Sequence, residues 1–276
     1  MNMMRGDLSH EKTGRDLVIL VHGLTGMPAE MRYVARKMAQ HGLAVETPLL
    51  AGHGQDYAAL IATDWRDWLD SLIRLYDEKA TAYERVHVAG ICVGGLLGFM
   101  LAQKRAIASC TVYSPLFAFD GWAMKAHYAV IPLAWPLMYL PGLRAHVVEE
   151  SHPFGLKDER LRELAATSQA ALIPGALEGM PYKSLADSWR LGQAVLRAAP
   201  GNRTPLTLVH AREDDIGSLS NAHRLREASG VSARLVVLEN SYHMVHVDQE
   251  RGKVVAATLE AIHAVMPGFA EPASDA

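Results

Sequence analysis

Residues 85–95 read Arg-Val-His-Val-Ala-Gly-Ile-Cys-Val-Gly-Gly, a short apolar run that ends in a glycine-flanked turn. The spacing Gly90-Ile91-Cys92-Val93-Gly94 is that of the G-x-S-x-G elbow, which holds a nucleophile on a strained turn between a strand and a helix. The flanking glycines are needed because bulkier residues would collide with neighbouring backbone. Cys92 stands where the serine normally is, so this stretch predicts a strand, a turn, a helix and a thiol nucleophile.

The two cysteines of the chain have different predicted roles. The residues after the elbow, 96–103, are apolar and compatible with a helix, which would place the Cys92 thiol near a helix N-terminus whose partial positive charge favours thiolate. A free cysteine is otherwise a small buried apolar residue. That second interpretation fits Cys110, which lies in an ordinary core-strand pattern.

Length and composition favour one enzyme-sized domain. A chain of 276 residues can bury a large core, and a net charge of −3 gives no electrostatic case for binding nucleic acid. Two cysteines cannot form a disulfide framework and no Cys/His cluster has zinc spacing, which favours a reducing, cytoplasmic location and no metal. The start, residues 1–12, is polar and mixed in charge, unlike a signal peptide.

Apolar strand-like runs alternate with amphipathic helical stretches along the chain. This alternation predicts an α/β fold with a mostly parallel sheet flanked by helices. The predicted strands are 17–21, 44–48, 86–89, 108–114, 206–210 and 233–238. The predicted helices include 31–41, 65–79 and about 249–266. The tail, 267–276, is small and polar and is expected to be loose.

Residues 115–186 break the alternation and are predicted to form a cap on a core made of residues 1–114 and 187–276. The apolar, proline-rich run at 131–141 is too short for a membrane span. Inserted after the strand that follows the elbow, the segment would cover the nucleophile with an apolar lining suited to an acyl chain. The predicted substrate contacts are Trp122, Trp135 and Tyr139. An accessory core helix without substrate contact is the alternative.

A second glycine-rich turn, His22-Gly23-Leu24-Thr25-Gly26, follows the first predicted strand. Such a turn can aim backbone N–H groups at a developing oxyanion. We expect the amides of Leu24 and Val93 to form this oxyanion hole, since Val93 directly follows the nucleophile. His22 is expected to be structural, because it lies beside the oxyanion loop and not on the loop that carries the base.

Candidate acid and base residues lie where the chain order nucleophile, acid, base places them. Asp214 and Asp215 follow the predicted strand at 206–210, and His243 and His246 follow the last predicted strand. Spacing alone leaves the choice within each pair open.

These segments together resemble the α/β-hydrolase superfamily, in particular small bacterial carboxylesterases and monoacylglycerol lipases with a modest cap. The resemblance covers nearly the whole chain outside the cap. Its matching segments are 22–26, Gly52-His53-Gly54, the elbow, 211–215, and 243–250. It implies an α/β-hydrolase fold with an inserted cap, Asp214 as the triad acid and His243 as the base. Asp215 then falls at a variable position and His246 one turn beyond the base.

The cysteine is the departure from this pattern. The box from Gly90 to Gly95 is similar to that of polyhydroxyalkanoate synthases, which use cysteine for acyl transfer, but the chain is short for one and less similar elsewhere. A thiol ordinarily has a pKa of about 8.5, so its thiolate leaves a tetrahedral intermediate far more readily than an alkoxide does. Attack on a plain ester would tend to reverse unless His243 protonates the departing oxygen. In a thioester the attacking atom and the departing atom are both sulfur, so the two are nearly equivalent as leaving groups.

The sequence therefore predicts an acyl hydrolase that works through Cys92, His243 and Asp214 and an acyl-cysteine. The chemistry favours thioesters, from coenzyme A or a carrier protein, or activated esters, whereas the family resemblance favours simple esters. His243 would deprotonate the thiol, and Asp214 would hold the tautomer of the ring. No cofactor is implied. An acyltransferase or cyclase with the same acyl-cysteine is an alternative, and so is a non-catalytic ligand-binding homologue, against which the retained Asp214 and His243 argue.

Overall fold

A parallel sheet of six strands lies at the centre of the structure, a computed structural model that describes residues 15–125, 128 and 130–266. The strands of the chain are β1 (Asp16–Val21), β2 (Ala44–Glu46), β3 (Arg85–Ile91), β4 (Ser109–Tyr113), β5 (Val147–Glu149), β6 (Gly179–Pro181), β7 (Leu206–Ala211) and β8 (Arg234–Leu238). The main sheet has the order β2-β1-β3-β4-β7-β8, with parallel pairing throughout. The predicted mostly parallel sheet is confirmed. The predictions for residues 1–12 and for the tail, 267–276, lie outside the described residues.

Helices cover both faces of the sheet. They are α1 (Arg32–Gln40), α2 (Tyr57–Ala62), α3 (Trp65–Lys79), α4 (Val93–Ala102), α5 (Ile131–Ala134), α6 (Glu159–Thr167), α7 (Gln169–Leu172), α8 (Tyr182–Ala198), α9 (Ser220–Ala228) and α10 (Arg251–His263). Side chains of β1 alternate between two buried clusters: Leu17 and Ile19 join α3, α4 and α8, whereas Val18 and Leu20 join α1 and α10. Because both faces are covered, the whole strand is buried, and every residue of it after Asp16 is apolar.

The predicted bounds of the helices agree with the structure to different degrees, and local contacts at the helix starts explain part of the difference. The helix predicted at 65–79 has the same bounds in the structure. Asp64 and Asp67 form a reciprocal capping box that fixes its start. The helix predicted at 31–41 begins at Arg32, since a 3-10 turn occupies the preceding residues. The last helix is shorter than predicted and spans Arg251–His263.

Short elements between β4 and α8 form the region predicted as a cap. Strands β5 and β6 pair with each other in an antiparallel sheet separate from the main one. Helix α8 begins at Tyr182 and runs on to Ala198, so it crosses the predicted boundary after residue 186. Its Leu185 and Ala186 belong to the apolar cluster of the cap, whereas Leu191 belongs to the core beside α4. Among the described residues, no helix combines the length and apolar composition needed to cross a membrane.

The turn between β3 and α4 is packed against the backbone of β1. A Cβ atom on Gly94 would lie 2.2 Å from the carbonyl oxygen of His22 and 2.4 Å from that of Val21. A Cβ atom on Gly90 would lie 2.6 Å from the carbonyl carbon of Gly94. Real side chains do not tolerate such contacts with backbone, so this close approach requires glycine.

We predict that Gly94→Ala lowers the free energy of unfolding by about 3 kcal/mol or more, because the backbone atoms that it meets cannot rotate away. Gly252→Ala is the matched control, since a Cβ atom there meets no atom within 4 Å. The control should leave stability unchanged or raise it by up to about 1 kcal/mol. Urea unfolding of both variants measures the difference, and equal stabilities would contradict the packing argument.

Candidate active site

Cys92 lies on the turn at the carboxyl end of β3. Its backbone has φ 51° and ψ −119°, a conformation that L-residues rarely adopt. The Cys92 N–H donates to the carbonyl of Tyr113 on the neighbouring strand at 2.9 Å, and helix α4 starts at the next residue. The thiol is half-buried and lines a cavity. The elbow predicted from the glycine spacing is therefore present.

The His243 ring is bound to Asp214. Its Nδ1 donates to the two carboxylate oxygens of Asp214 at 2.8 and 3.1 Å, which leaves Nε2 for a hydrogen bond with Cys92. Asp214 Oδ1 also accepts from the backbone N–H groups of Ile216 and Gly217. These bonds fix the carboxylate after β7 and, through it, the orientation of the imidazole.

Electrostatics reinforce this pair. Burial by itself would lower the pKa of His243, but the charge and hydrogen bond of Asp214, together with the contact to Cys92, raise it well above its ordinary value. Burial would raise the pKa of Asp214, but the charge and hydrogen bond of His243 hold it below the usual value. Each group thus stabilises the charged form of the other. The ring is suited to hold a proton taken from the thiol.

Asp215 and His246, the alternative candidates for the acid and the base, make different contacts. Asp215 accepts the backbone N–H of His243 at 3.2 Å and that of Gly155 at 3.0 Å, so it supports the backbone of the loop rather than the ring. His246 is fully buried, with Nε2 3.9 Å from a carboxyl oxygen of Glu30. The structure therefore brings Cys92, His243 and Asp214 together and leaves Asp215 and His246 outside this chain of contacts.

The turn at residues 22–26 borders the same cavity. His22 Nδ1 donates to the carbonyl of Gly23 at 2.9 Å, and its Nε2 accepts the Leu50 N–H at 3.2 Å. Burial lowers the pKa of His22 to about 3, so the ring is neutral and both nitrogens are occupied. Its surroundings are those of a structural histidine. Leu24 lines the cavity beside Cys92, and Val93 directly follows Cys92 at the start of α4.

Glu30 is a site residue that the sequence analysis missed. It is 5% exposed, and its Oε1 accepts the Gly23 N–H, in the turn at residues 22–26, at 2.6 Å. Burial raises the pKa of its carboxyl to about 8. No motif marks this glutamate in the sequence, because its partner is a backbone amide seven residues earlier.

The cavity next to Cys92 has a volume of about 90 Å³. Its apolar walls include Leu24, Ile91, Leu116, Phe119, Ile216 and Met244. Its polar residues are Cys92 and His243 together with Thr25, Glu30, Glu150, Gln169, Ser188 and His246. The cavity can therefore hold an apolar group and also offers hydrogen-bonding partners. Among the described residues, no cluster of His, Cys, Asp and Glu is arranged to hold a metal ion.

The three aromatic residues predicted to contact the acyl chain do not line this cavity, and their contacts lie elsewhere. Trp122 is 58% exposed and donates its Nε1–H to the carbonyl of Glu213. Trp135 stacks on Trp189 of α8. The Tyr139 hydroxyl donates to Asp187, again on α8. Trp135 and Tyr139 thus join the cap to α8, whereas Trp122 joins it to the loop after β7.

Comparison with known proteins agrees with this geometry. Residues 12–250 match the family described as Hydrolase_4 (Serine aminopeptidase, S33). The chain belongs to this family. It is therefore an enzyme of the α/β-hydrolase fold and of the lipase and esterase type, as the resemblance implied.

Several relatives of this α/β hydrolase are lipases. It is 27% identical over 247 residues to a thermostable monoacylglycerol lipase of Bacillus sp. (strain H-257), which covers 88% of each chain. A solved structure from work on the metagenome-derived lipolytic enzymes LipS and LipT superposes with a TM-score of 0.77 at 20% identity, covering 94% of this chain and 97% of the other. The monoacylglycerol lipase of Paleococcus ferrophilus superposes with a TM-score of 0.75 at 17% identity, covering 92% and 97%. At these identities the superpositions show the fold.

We predict that Asp214→Asn and His243→Ala each reduce the turnover of an acyl substrate by roughly 10³- to 10⁴-fold, because either change removes the oriented base. Asp215→Asn is the matched control, since an asparagine oxygen can still accept the His243 N–H, and its turnover should stay within about tenfold of wild type. Steady-state kcat values make the comparison. An equal loss in Asp215→Asn would show that the acid has been assigned to the wrong residue.

Proposed function

We propose that this α/β hydrolase hydrolyses acyl substrates through an acyl-cysteine at Cys92, with His243 as the base and Asp214 orienting it. The observation that carries the proposal is the contact between Cys92, on its strained turn, and a histidine ring whose other nitrogen is bonded to a buried carboxylate. A protein that only bound its ligand would have no need for this pairing. The intact pair therefore supports catalysis over simple binding.

In the first step, the proton of the Cys92 thiol passes to His243 Nε2 and the sulfur attacks the acyl carbon. The amides of Leu24 and Val93 stabilise the resulting oxyanion. The tetrahedral intermediate collapses, the bond to the leaving group breaks, and His243 returns the proton to that group. Water then attacks the acyl-cysteine with His243 again accepting a proton, which releases the carboxylic acid and restores the thiol.

Thioesters and activated esters are the substrates that suit this nucleophile. A thiolate leaves more readily than an alkoxide, so the intermediate formed from a plain ester would tend to revert. The apolar walls of the cavity support an apolar acyl chain. The similarity of the elbow box to that of polyhydroxyalkanoate synthases, which transfer acyl groups through cysteine, supports the same nucleophile. The lipase relatives favour an oxygen ester, so the two substrate classes need direct comparison.

We predict opposite effects of Cys92→Ser on two matched substrates that differ only in the atom linking the acyl group to its leaving group. Thioester turnover should fall, because a hydroxyl depends more heavily on the base than a thiol does. Turnover of the oxygen ester should hold or rise, because serine leaves less readily than thiolate and the intermediate proceeds to product. The kcat/KM values of both enzymes on both substrates measure the effect.

Cys110→Ser is the matched control for this experiment. Cys110 is buried in β4, where burial raises the pKa of its thiol to about 12, and it does not line the cavity. Its substitution should leave the ratio of the two substrates unchanged. A Cys92→Ser enzyme with full thioester activity would contradict the proposal, as would a wild type that hydrolyses the oxygen ester much faster than the thioester.

A further inference from the structure

One side of the cavity next to Cys92 carries acidic groups. The carboxyl groups of Glu30 and Glu150 both line it, and none of the described residues around it is Lys or Arg. Glu30 is buried and Glu150 is half-buried, and the His243 ring is the cationic group described beside them in this cavity. Removing a carboxylate from water is costly, because water stabilises its charge. The reaction proposed above has no role for Glu150. This carboxyl group therefore needs another explanation.

Glu150 follows strand β5 and is held by one partner from the cap. Its Oε2 accepts a hydrogen bond from Gln169 Nε2 at 2.7 Å, and Gln169 is itself 5% exposed. The other charged groups that act on Glu150 are the carboxyls of Glu30, Asp215 and Glu178 and the ring of His243. Burial and these carboxyls raise the pKa of Glu150 to about 7, although His243 opposes the shift. A cation beside Glu150 would relieve this repulsion.

His246 provides an independent indication of a ligand. Its ring is fully buried and lines the same cavity, yet neither ring nitrogen has a hydrogen-bond partner. Burial lowers its pKa to about 3, so the ring is neutral and one nitrogen can accept a hydrogen bond. Buried polar side chains almost always have partners, and one that lacks a partner beside a cavity points to a group supplied by a ligand.

Glu150 also borders outer cavities, of which one includes Lys125 and another is acidic. Glu150 also lines a neighbouring cavity of about 470 Å³ together with Glu149, Glu178 and Tyr57. Lys and Arg are absent from the described residues that line this second cavity. Apart from the His243 ring, the charged side chains described along these two cavities are carboxyl groups, so a cationic group of a ligand would meet more complementary charge than a phosphate or carboxylate would.

We infer that the substrate carries a primary ammonium group that binds at Glu150, with Glu30 and His246 as further acceptors. An ammonium has three N–H donors and a positive charge, which match two carboxyl groups and one neutral imidazole. A hydroxyl group would supply one donor and no charge. The statement that the ligand is a substrate rests on the proposed function. The binding site itself rests only on the residues of the cavity.

Protection of Cys92 from alkylation tests the site without requiring turnover. Iodoacetamide labelling of Cys92 would be followed by mass spectrometry at pH 7 with n-butylamine, n-butanol or butyrate present. The amine, protonated at this pH, should slow labelling in a saturable way, with the alcohol about tenfold weaker and butyrate weaker still, because only the cation forms charge-assisted hydrogen bonds. Equal protection by amine and alcohol would overturn the inference.

Glu150→Gln and Glu149→Gln form the matched pair of variants. Each substitution removes the carboxylate of one glutamate, and the two glutamates are adjacent in the chain. Only Glu150 lines the cavity beside Cys92. Glu150→Gln should abolish protection by butylamine, and Glu149→Gln should retain it. Unchanged protection in Glu150→Gln would overturn the inference. The comparison of probes on the wild type decides the question even if Glu150→Gln does not fold.

A turnover assay separates this inference from the proposed function. A thioester with an amino-terminated acyl chain should have a lower KM than its methyl-terminated counterpart of equal length, and Glu150→Gln should remove the difference. Equal KM values on the wild type would overturn the inference while the proposed function stands. Glu150-dependent protection by butylamine with no turnover of either thioester would overturn the proposed function and leave the ammonium site in place.

Discussion

Close backbone packing at the turn around Cys92 determines the geometry of the whole site. The turn approaches β1 so closely that Gly94 has no room for a side chain, and Cys92 is held at a positive φ. The thiol is thereby presented at the carboxyl end of β3. In a parallel sheet the carboxyl ends of all strands meet at one edge, so the loops after β7 and β8 can bring Asp214 and His243 to the same place.

The buried charges of this edge divide into two groups. Asp214 has a partner in His243, and each group favours the charged form of the other. Glu30 and Glu150 share a cavity in which none of the described residues is Lys or Arg, and burial raises their pKa values to about 8 and about 7. The paired carboxylate orients a base, whereas the unpaired carboxyls give the cavity an acidic character. The same environment that supports the proposed chemistry at Cys92 therefore favours cationic ligands over anionic ones, which is a constraint on a coenzyme A thioester.

The sequence predicted those features whose causes are local. The capping box at Asp64 marks the start of α3, and the glycines around Cys92 mark the elbow, because each signal lies within a few residues of the structure that it produces. The choice of Asp214 over Asp215 rested on the family resemblance, because spacing left it open. Their different partners, the ring and the backbone of His243, appear only in three dimensions.

The cap and the acidic groups could not be predicted in this way. Trp135 and Tyr139 were expected at the substrate, but their partners on α8 lie about 50 residues away in the chain. Aromatic composition indicates burial and does not indicate against which surface. Glu30 and Glu150 belong to no motif: Glu30 binds a backbone amide, and Glu150 is held by a contact within the cap. Such long-range contacts are the part of the site that only the structure reveals.

The covalent role of Cys92 is the central claim, and trapping the intermediate tests it most directly. Wild-type protein mixed with a thioester and quenched in acid within milliseconds would be analysed by intact mass and peptide mapping. The account predicts a mass increase equal to one acyl group, located on Cys92 and absent from Cys110, which decays as the free acid appears. Steady turnover of the thioester with no adduct at any quench time, or with an adduct on another residue, would contradict it.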